Sequence, residues 1–126
     1  MNEARPLSDS PSRWRRTAQV LKALGHPSRL FLVDRLARGE RCVCELTALV
    51  GADVSTVSRH LAVLREAGIV LDDRRGAQVF YRLAAPEALE LLRGADRVAL
   101  GAAEREGALA ARLAGEGEPA LQEAAP

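Results

Sequence analysis

The sequence predicts a mainly α-helical domain with one small β-hairpin, and three observations lead to that fold class. Hydrophobic residues make up 48% of the 126 residues and aromatic residues only 3%, so the core must consist of leucine, valine and alanine, which suit helices. Apolar residues recur at helical spacing along most of the chain. Two short runs with β-branched and aromatic residues flank a glycine-containing turn, which is typical of a hairpin.

Two short helices joined by a tight corner begin the predicted domain. Residues 1–12 contain two prolines and three serines, and we expect them to form a disordered N-terminal arm. Ser12 is placed to cap a helix that starts at Arg13, and Pro27 suits the first position of a second helix. Gly39 is expected to end that second helix.

A short helix, a tight turn and a longer helix are predicted next. They cover residues 45–50, 51–53 and 54–67 respectively. The longer helix is amphipathic, because apolar side chains recur on one face and short polar side chains with one arginine occupy the other. The residues expected to face the core are Val54, Val57, Leu61 and Leu64.

A hairpin follows, with strands at 69–72 and 78–83 joined by residues 74–77. A final helix, continuous or in two pieces, begins at Pro86 and ends near Ala114. The order of elements is that of a winged helix-turn-helix, an architecture that binds DNA. The domain is therefore expected to cover residues 13–114, with a disordered tail at 115–126.

The charge distribution and the composition restrict the classes of partner and function that suit this chain. Residues 1–83 carry 14 basic and 9 acidic side chains and residues 84–126 carry 4 and 8, so only the front of the chain suits a polyanion. Neither a bilayer-spanning run of roughly 20 apolar residues nor a secretory signal is recognisable, so we expect a cytoplasmic protein without membrane contact. An enzyme is not expected, because no phosphate loop, paired-acid site or nucleophile set is recognisable.

The predicted winged helix-turn-helix places polar side chains where DNA would lie. Its longer helix would enter a major groove about 12 Å wide, and the hairpin would reach phosphates or a minor groove. The alternative is a protein-interaction module whose polar helix face and charged turn are merely solvated. Ser55 could equally cap the helix. The DNA-binding candidates from this pattern are Ser55, Thr56, Arg74, Arg75 and Gln78.

Five blocks of sequence resemble the ArsR/SmtB family of metal-responsive repressors, over roughly residues 14–92. The resemblance implies a homodimeric repressor that binds an inverted-repeat operator and has no permanent cofactor. It also implies that Ser58, Arg59 and His60 are reading positions, with Arg59 suited to guanine O6 and N7. The blocks are ALGHPSRL at 23–30, CVCEL at 42–46, VSRHL at 57–61, AGIV at 67–70, and glycine followed by FYRL within 76–83.

The Cys42-Val43-Cys44 element looks closest to the arsenic- and antimony-sensing branch and to a cadmium/lead-sensing relative. It implies that trivalent arsenic or antimony binds both thiolates and releases the repressor from DNA, since soft centres prefer sulfur. On a regular helix the two side chains would point about 200° apart, whereas an extended segment puts both on one side. A two-thiol site therefore requires the helix start to be non-helical or to unwind, and we expect binding to distort the recognition helix.

The cysteine element differs from these relatives in ligand number, and other interpretations of it stay open. Thr47 stands where some arsenic sensors have a third cysteine, and residues 1–41 contain none, so water, hydroxide or a small thiol would supply any third ligand. Cys42 and Cys44 could instead form a redox pair or be small buried side chains without a ligand role. His26 is expected to hydrogen-bond locally in a turn.

The implied homodimer needs an apolar contact surface. The first and last helices offer one, although the same side chains would equally suit an intramolecular core. These positions are Trp14, Val20, Leu21, Leu92, Leu100 and Leu109.

Overall fold

The computed structural model describes residues 10–107 and 112–114. Its elements confirm the predicted winged helix-turn-helix, mainly helical with a small antiparallel sheet. In chain order they are α1 (Pro11–Ala23), α2 (Pro27–Leu36), β1 (Arg41–Cys42), α3 (Val43–Val50), α4 (Val54–Glu66), β2 (Val70–Arg75), β3 (Gln78–Leu83) and α5 (Glu87–Glu106).

The first helix starts two residues earlier than predicted. Ser10 rather than Ser12 is its N-cap residue, and Pro11 occupies the first helical position. Proline suits this position because its missing N–H would have no partner there. The end of the predicted arm therefore belongs to the domain, while residues 1–9 and 115–126 lie outside the described residues.

The last helix is continuous across Gly94 and Gly101 and ends at Glu106, before the predicted end at Ala114. Gly107 follows with a left-handed φ of 68°, which interrupts the helix before residues 112–114 are helical again. None of the described helices is long and apolar enough to cross a membrane.

The small sheet contains a strand that the sequence did not predict. Its order is β1-β3-β2, and both pairs of neighbours are antiparallel. The additional strand places Cys42 opposite Phe80 and so joins the start of α3 to the hairpin, called the wing below. Within the wing Arg75 is opposite Gln78, so a two-residue loop connects the strands, and Gly76 in that loop has a φ of 64°.

The core is aliphatic, as the composition predicts, and α4 contributes much of it. Val57, Leu61 and Leu64 are fully buried, but Val54 is 57% exposed, contrary to the prediction. At about 100° per residue, the buried arc runs through residues 60, 64, 57 and 61, which leaves Val54 just beyond its edge. The largest fully buried side chains are Leu32, Leu46, Leu61, Leu64, Val33, Val50, Val57 and Val70.

Candidate functional site

The solvent-facing side of α4 carries three of the predicted DNA-binding residues. A tight turn sets the helix, because Gly51 ends α3 with a left-handed φ of 80° and Asp53 is already the N-cap residue of α4. Ser55, Ser58 and Arg59 are exposed. Their spacing of three and four residues puts them on one helix face. Two short hydroxyl side chains beside one long guanidinium form a surface suited to the major groove.

The start of α4 is organised by a carboxylate rather than by Ser55. The Ser55 hydroxyl donates to Asp53 Oδ2 at 2.6 Å, so Ser55 does not cap the helix. Hydrogen bonds from Ser55 and from the half-buried Thr56 hold the pKa of Asp53 below its ordinary value. Both predicted residues therefore lie at the start of α4, and the Asp53 carboxylate orients the Ser55 hydroxyl.

His60, predicted to contact DNA, points into the protein instead. It is only 9% exposed, and its ring centroid is 4.5 Å from that of His26. Arg29 Nε donates to His60 Nδ1 at 3.2 Å, and Arg29 Nη1 donates to the carbonyl of Ala23 at 3.2 Å. His26 Nδ1 accepts the N–H of Ser28 at 3.0 Å, which confirms its predicted local role. The histidine of α4 thus ties the recognition helix to the corner between α1 and α2.

The wing presents Arg74 and Gln78 to solvent, as expected for phosphate contacts, although Arg74 lies in β2 rather than in the turn. Arg75 is also in β2 and is exposed, but in this structure its side chain is already paired with carboxylates of the protein, so its predicted phosphate contact stays a prediction. Its guanidinium donates to Glu40 at 2.8 and 2.7 Å and to Asp73 at 3.0 Å. Sequence spacing could not reveal the Glu40 contact, because the two residues are 35 apart.

An ion pair that the sequence analysis missed fixes the wing against the recognition helix. Arg65 Nη1 near the end of α4 donates to Asp72 Oδ2 in β2 at 3.0 Å. The helix α4 and the wing are therefore connected by a side-chain contact as well as by the intervening Gly68 turn.

Cys42 and Cys44 lie at the junction of β1 and α3, where the structure joins them in a disulfide. Cys42 is the N-cap residue with extended backbone angles (φ −80°, ψ 160°) and is 5% exposed, whereas Cys44 is exposed in the first helical turn. A capping box closes around Cys42: the N–H of Glu45 donates to Cys42 Sγ at 3.4 Å, and the N–H of Cys42 donates to Glu45 Oε1 at 3.0 Å.

The backbone of Cys42 decides between the two geometries that the cysteine spacing allowed. Cys42 is extended and only Cys44 is helical, so the first of the two predicted alternatives, a non-helical start, applies, and the sulfur atoms meet without unwinding of α3. The interpretation of both cysteines as buried side chains is also wrong, because Cys44 is exposed.

Once reduced, Cys42 and Cys44 would offer two sulfur ligands, the donor type that soft centres prefer. Across residues 10–107 and 112–114, no group of three or more His, Cys, Asp and Glu side chains is placed to hold a metal ion. Thr47, at the position of the third cysteine in some arsenic sensors, donates its hydroxyl to the carbonyl of Val43 at 2.8 Å. A third ligand would therefore come from solution.

Exposed apolar side chains on the outer helices mark a candidate contact surface. Trp14 and Leu21 of α1 are 49% and 54% exposed, and Val98 and Leu100 of α5 are 73% and 42% exposed. Of the other predicted dimer residues, Val20 and Leu92 pack against the core of the same chain, and Leu109 lies outside the described residues.

Comparison with known proteins agrees with this fold. Residues 26–71, from the start of α2 into β2, match the family described as bacterial regulatory protein, arsR family. A biofilm growth-associated repressor from Agrobacterium fabrum is 46% identical over 87 residues, which cover 69% of this chain and 74% of that protein. An arsenic resistance transcriptional regulator from Pseudomonas putida is 49% identical over 65 residues, which cover 51% of each chain.

A solved structure shows the same architecture. The homodimeric winged helix-turn-helix DNA-binding domain of a possible ArsR-family regulator from Mycobacterium bovis has a TM-score of 0.65 and 31% identity, over 77% of this chain and 90% of that chain. These similar proteins are regulators of transcription rather than enzymes, as the sequence predicts.

Proposed function

Because the chain belongs to the arsR family of bacterial regulatory proteins and is a transcriptional repressor of that family, we propose that it binds operator DNA as a homodimer and leaves it when trivalent arsenic or antimony binds Cys42 and Cys44. The observation that carries the proposal is the meeting of two sulfur atoms at the start of α3, one of them exposed. When the disulfide is reduced, a thiophilic ion can reach the two thiols from solution and be held by both sulfurs.

The geometry of α4 and the wing supports the DNA-binding part. Ser55, Ser58 and Arg59 face solvent together on α4, and Arg74 and Gln78 do so on the wing. Arginine reads guanine O6 and N7 through paired hydrogen bonds, so Arg59 is the candidate base contact, and the wing residues are candidate phosphate contacts.

The apolar faces of α1 and α5 support the homodimer. A side chain such as Val98, 73% exposed on a long helix, gains about 25 cal/mol for each Å² that a second copy removes from water. A symmetric dimer would carry two recognition helices, which matches an operator made of two inverted half-sites.

Capping supplies the physical link between the thiols and DNA. An ion bound to Cys42 Sγ competes with the N–H of Glu45 for the same sulfur lone pairs, so inducer binding weakens the N-cap of α3. The helix α3 packs on α4 and contacts the wing, so a change at its first turn reaches both DNA-facing elements. Ion binding at the cysteines would in this way change the surface that contacts DNA.

The disulfide supports a second candidate function, a repressor that responds to oxidants. Two thiols release two protons and two electrons when the bond forms, and an organic hydroperoxide that accepts them is reduced to an alcohol and water. The exposed Cys44 is the sulfur that an oxidant would reach.

Fluorescence anisotropy with an operator selected from random DNA tests both candidates. The parent, Cys42→Ser and Cys44→Ser are titrated with DNA in a phosphine reductant, then with arsenite, antimonite, cadmium or lead, or after oxidation by a hydroperoxide. Thr47→Ser is the matched control, because it changes α3 without touching either sulfur. The metalloid proposal expects arsenite to release the parent and the control but neither cysteine variant.

Other outcomes select other functions. Release of both serine variants by arsenite would reject these thiols as the sensor. Release by the hydroperoxide alone, reversed by reductant, would favour the redox repressor, and release by cadmium or lead alone would reassign the inducer. Absence of DNA affinity even at low salt would favour a protein-interaction module.

A further inference from the structure

Arg75 of the wing contacts two carboxylates and an aromatic ring at once. Its two terminal nitrogens donate to the two oxygens of Glu40 at 2.8 and 2.7 Å, and its Nε donates to Asp73 at 3.0 Å. Its guanidinium carbon lies 4.5 Å from the ring centroid of Phe80. A paired guanidinium–carboxylate contact is the same bidentate geometry with which arginine binds a phosphate. The side chain is 48% exposed on the wing, yet its charge is satisfied within the protein.

Glu40 connects this arginine to the thiol pair. It immediately precedes β1, the strand that contains Cys42. The strand β1 pairs Cys42 with Phe80, and the ring of Phe80 lies against Arg75. Glu40 and Phe80, which contact Arg75 from outside β2, are therefore both connected to Cys42. Glu40 is connected through the chain, and Phe80 through strand pairing.

We propose that Glu40 is a regulatory residue that couples the thiol pair to the wing, because it competes with a DNA phosphate for Arg75. The inference rests on the proposed thiol sensor. When the sulfurs are joined, as in the structure, β1 holds Glu40 against Arg75 and the wing lacks one cation for DNA. When the thiols are free, Cys42 is no longer tied to Cys44, and Arg75 exchanges Glu40 for a phosphate.

The exchange is feasible because the competing contacts are nearly balanced. The side chains of Arg75 and Glu40 are 48% and 31% exposed, so water solvates both when they separate and the net free energy of the pair is smaller than that of a buried one. A phosphate presents two oxygens to the guanidinium in the same way as the Glu40 carboxylate. A small displacement of β1 is therefore sufficient to change which anion Arg75 binds.

The test compares operator affinity for the free and arsenite-loaded forms of the full chain, or for the reduced and oxidised forms if a hydroperoxide is the effector. Glu40→Gln is expected to tighten binding of the loaded form by roughly two- to fivefold and to lower the loaded-to-free ratio of dissociation constants by the same factor. It should also steepen the slope of log K against log salt for the loaded form by about 0.9, the value for one additional phosphate contact.

Two variants separate this coupling from simple removal of a negative charge. Asp73→Asn frees Arg75 from a carboxylate on its own strand, so it should tighten both forms equally and leave the ratio unchanged. In an Arg75→Ala background, Glu40→Gln should change neither the ratio nor the salt slope.

Three results would overturn the inference while leaving the thiol sensor in place: an unchanged ratio in Glu40→Gln, an equal fall of the ratio in Asp73→Asn, or an effect of Glu40→Gln that persists without Arg75. A parent protein that responds to neither arsenite nor hydroperoxide would instead reject the proposed function, and the coupling with it.

Discussion

Replacing Cys42 by serine should leave the reduced protein as stable as the parent, whereas replacing it by alanine should destabilise it. The sulfur accepts the N–H of Glu45 at 3.4 Å in the capping box of α3. A serine hydroxyl accepts at least as well at an N-cap, whereas the methyl group of alanine leaves that N–H without its partner. Loss of an N-cap side chain costs about 0.5–2 kcal/mol, so we expect a difference near 1 kcal/mol between the variants.

Urea unfolding followed by circular dichroism measures this difference. A phosphine reductant keeps the thiols open, and one protein concentration is used throughout because a dimer gains stability with concentration. The expected difference corresponds to about 4–8 °C in Tm for a domain of this size. Cys44→Ser and Cys44→Ala are the matched controls, and they should agree within about 0.5 kcal/mol because Cys44 is exposed and does not cap. Equal stability of Cys42→Ser and Cys42→Ala would refute the capping argument.

Three further predictions test the DNA surface, the core and the dimer. Arg59→Ala should weaken operator binding by about 1–3 kcal/mol in anisotropy titrations, with a smaller effect on random DNA; equal losses on both would make Arg59 a phosphate contact. His60→Ala should lower the free energy of unfolding by about 1–3 kcal/mol, because Arg29 Nε loses its acceptor; a variant of parental stability that only loses DNA affinity would contradict the inward orientation of His60. Val98→Glu should shift sedimentation velocity from dimer to monomer, since a carboxylate at a position 73% exposed in the single chain would be desolvated by a partner; an unchanged dimer would place the interface elsewhere.

The helices and the wing follow from local rules, which is why the sequence predicted them. Pro27 opens α2, Gly51 ends α3, and Gly76 lies in the wing loop, each because of a backbone conformation that the residue favours. Apolar spacing then identified α4 and its buried face, apart from one position at the edge. The sequence did not predict β1, because two residues are too few to show a periodic pattern. They form a strand only because they pair with β3.

The sequence by itself determined the family fold, the exposure of Ser55 and Arg59 on α4, and the presence of two cysteines at the start of α3. The tertiary structure alone decided that His60 faces inward, that Arg75 is held by Glu40, and that the extended backbone at Cys42 brings both sulfurs together. The reason is physical: helix periodicity and turn chemistry act between neighbours along the chain, whereas the contacts of His60 and Arg75, and the pairing of β1 with β3 that includes Cys42, depend on which distant segments the fold brings together.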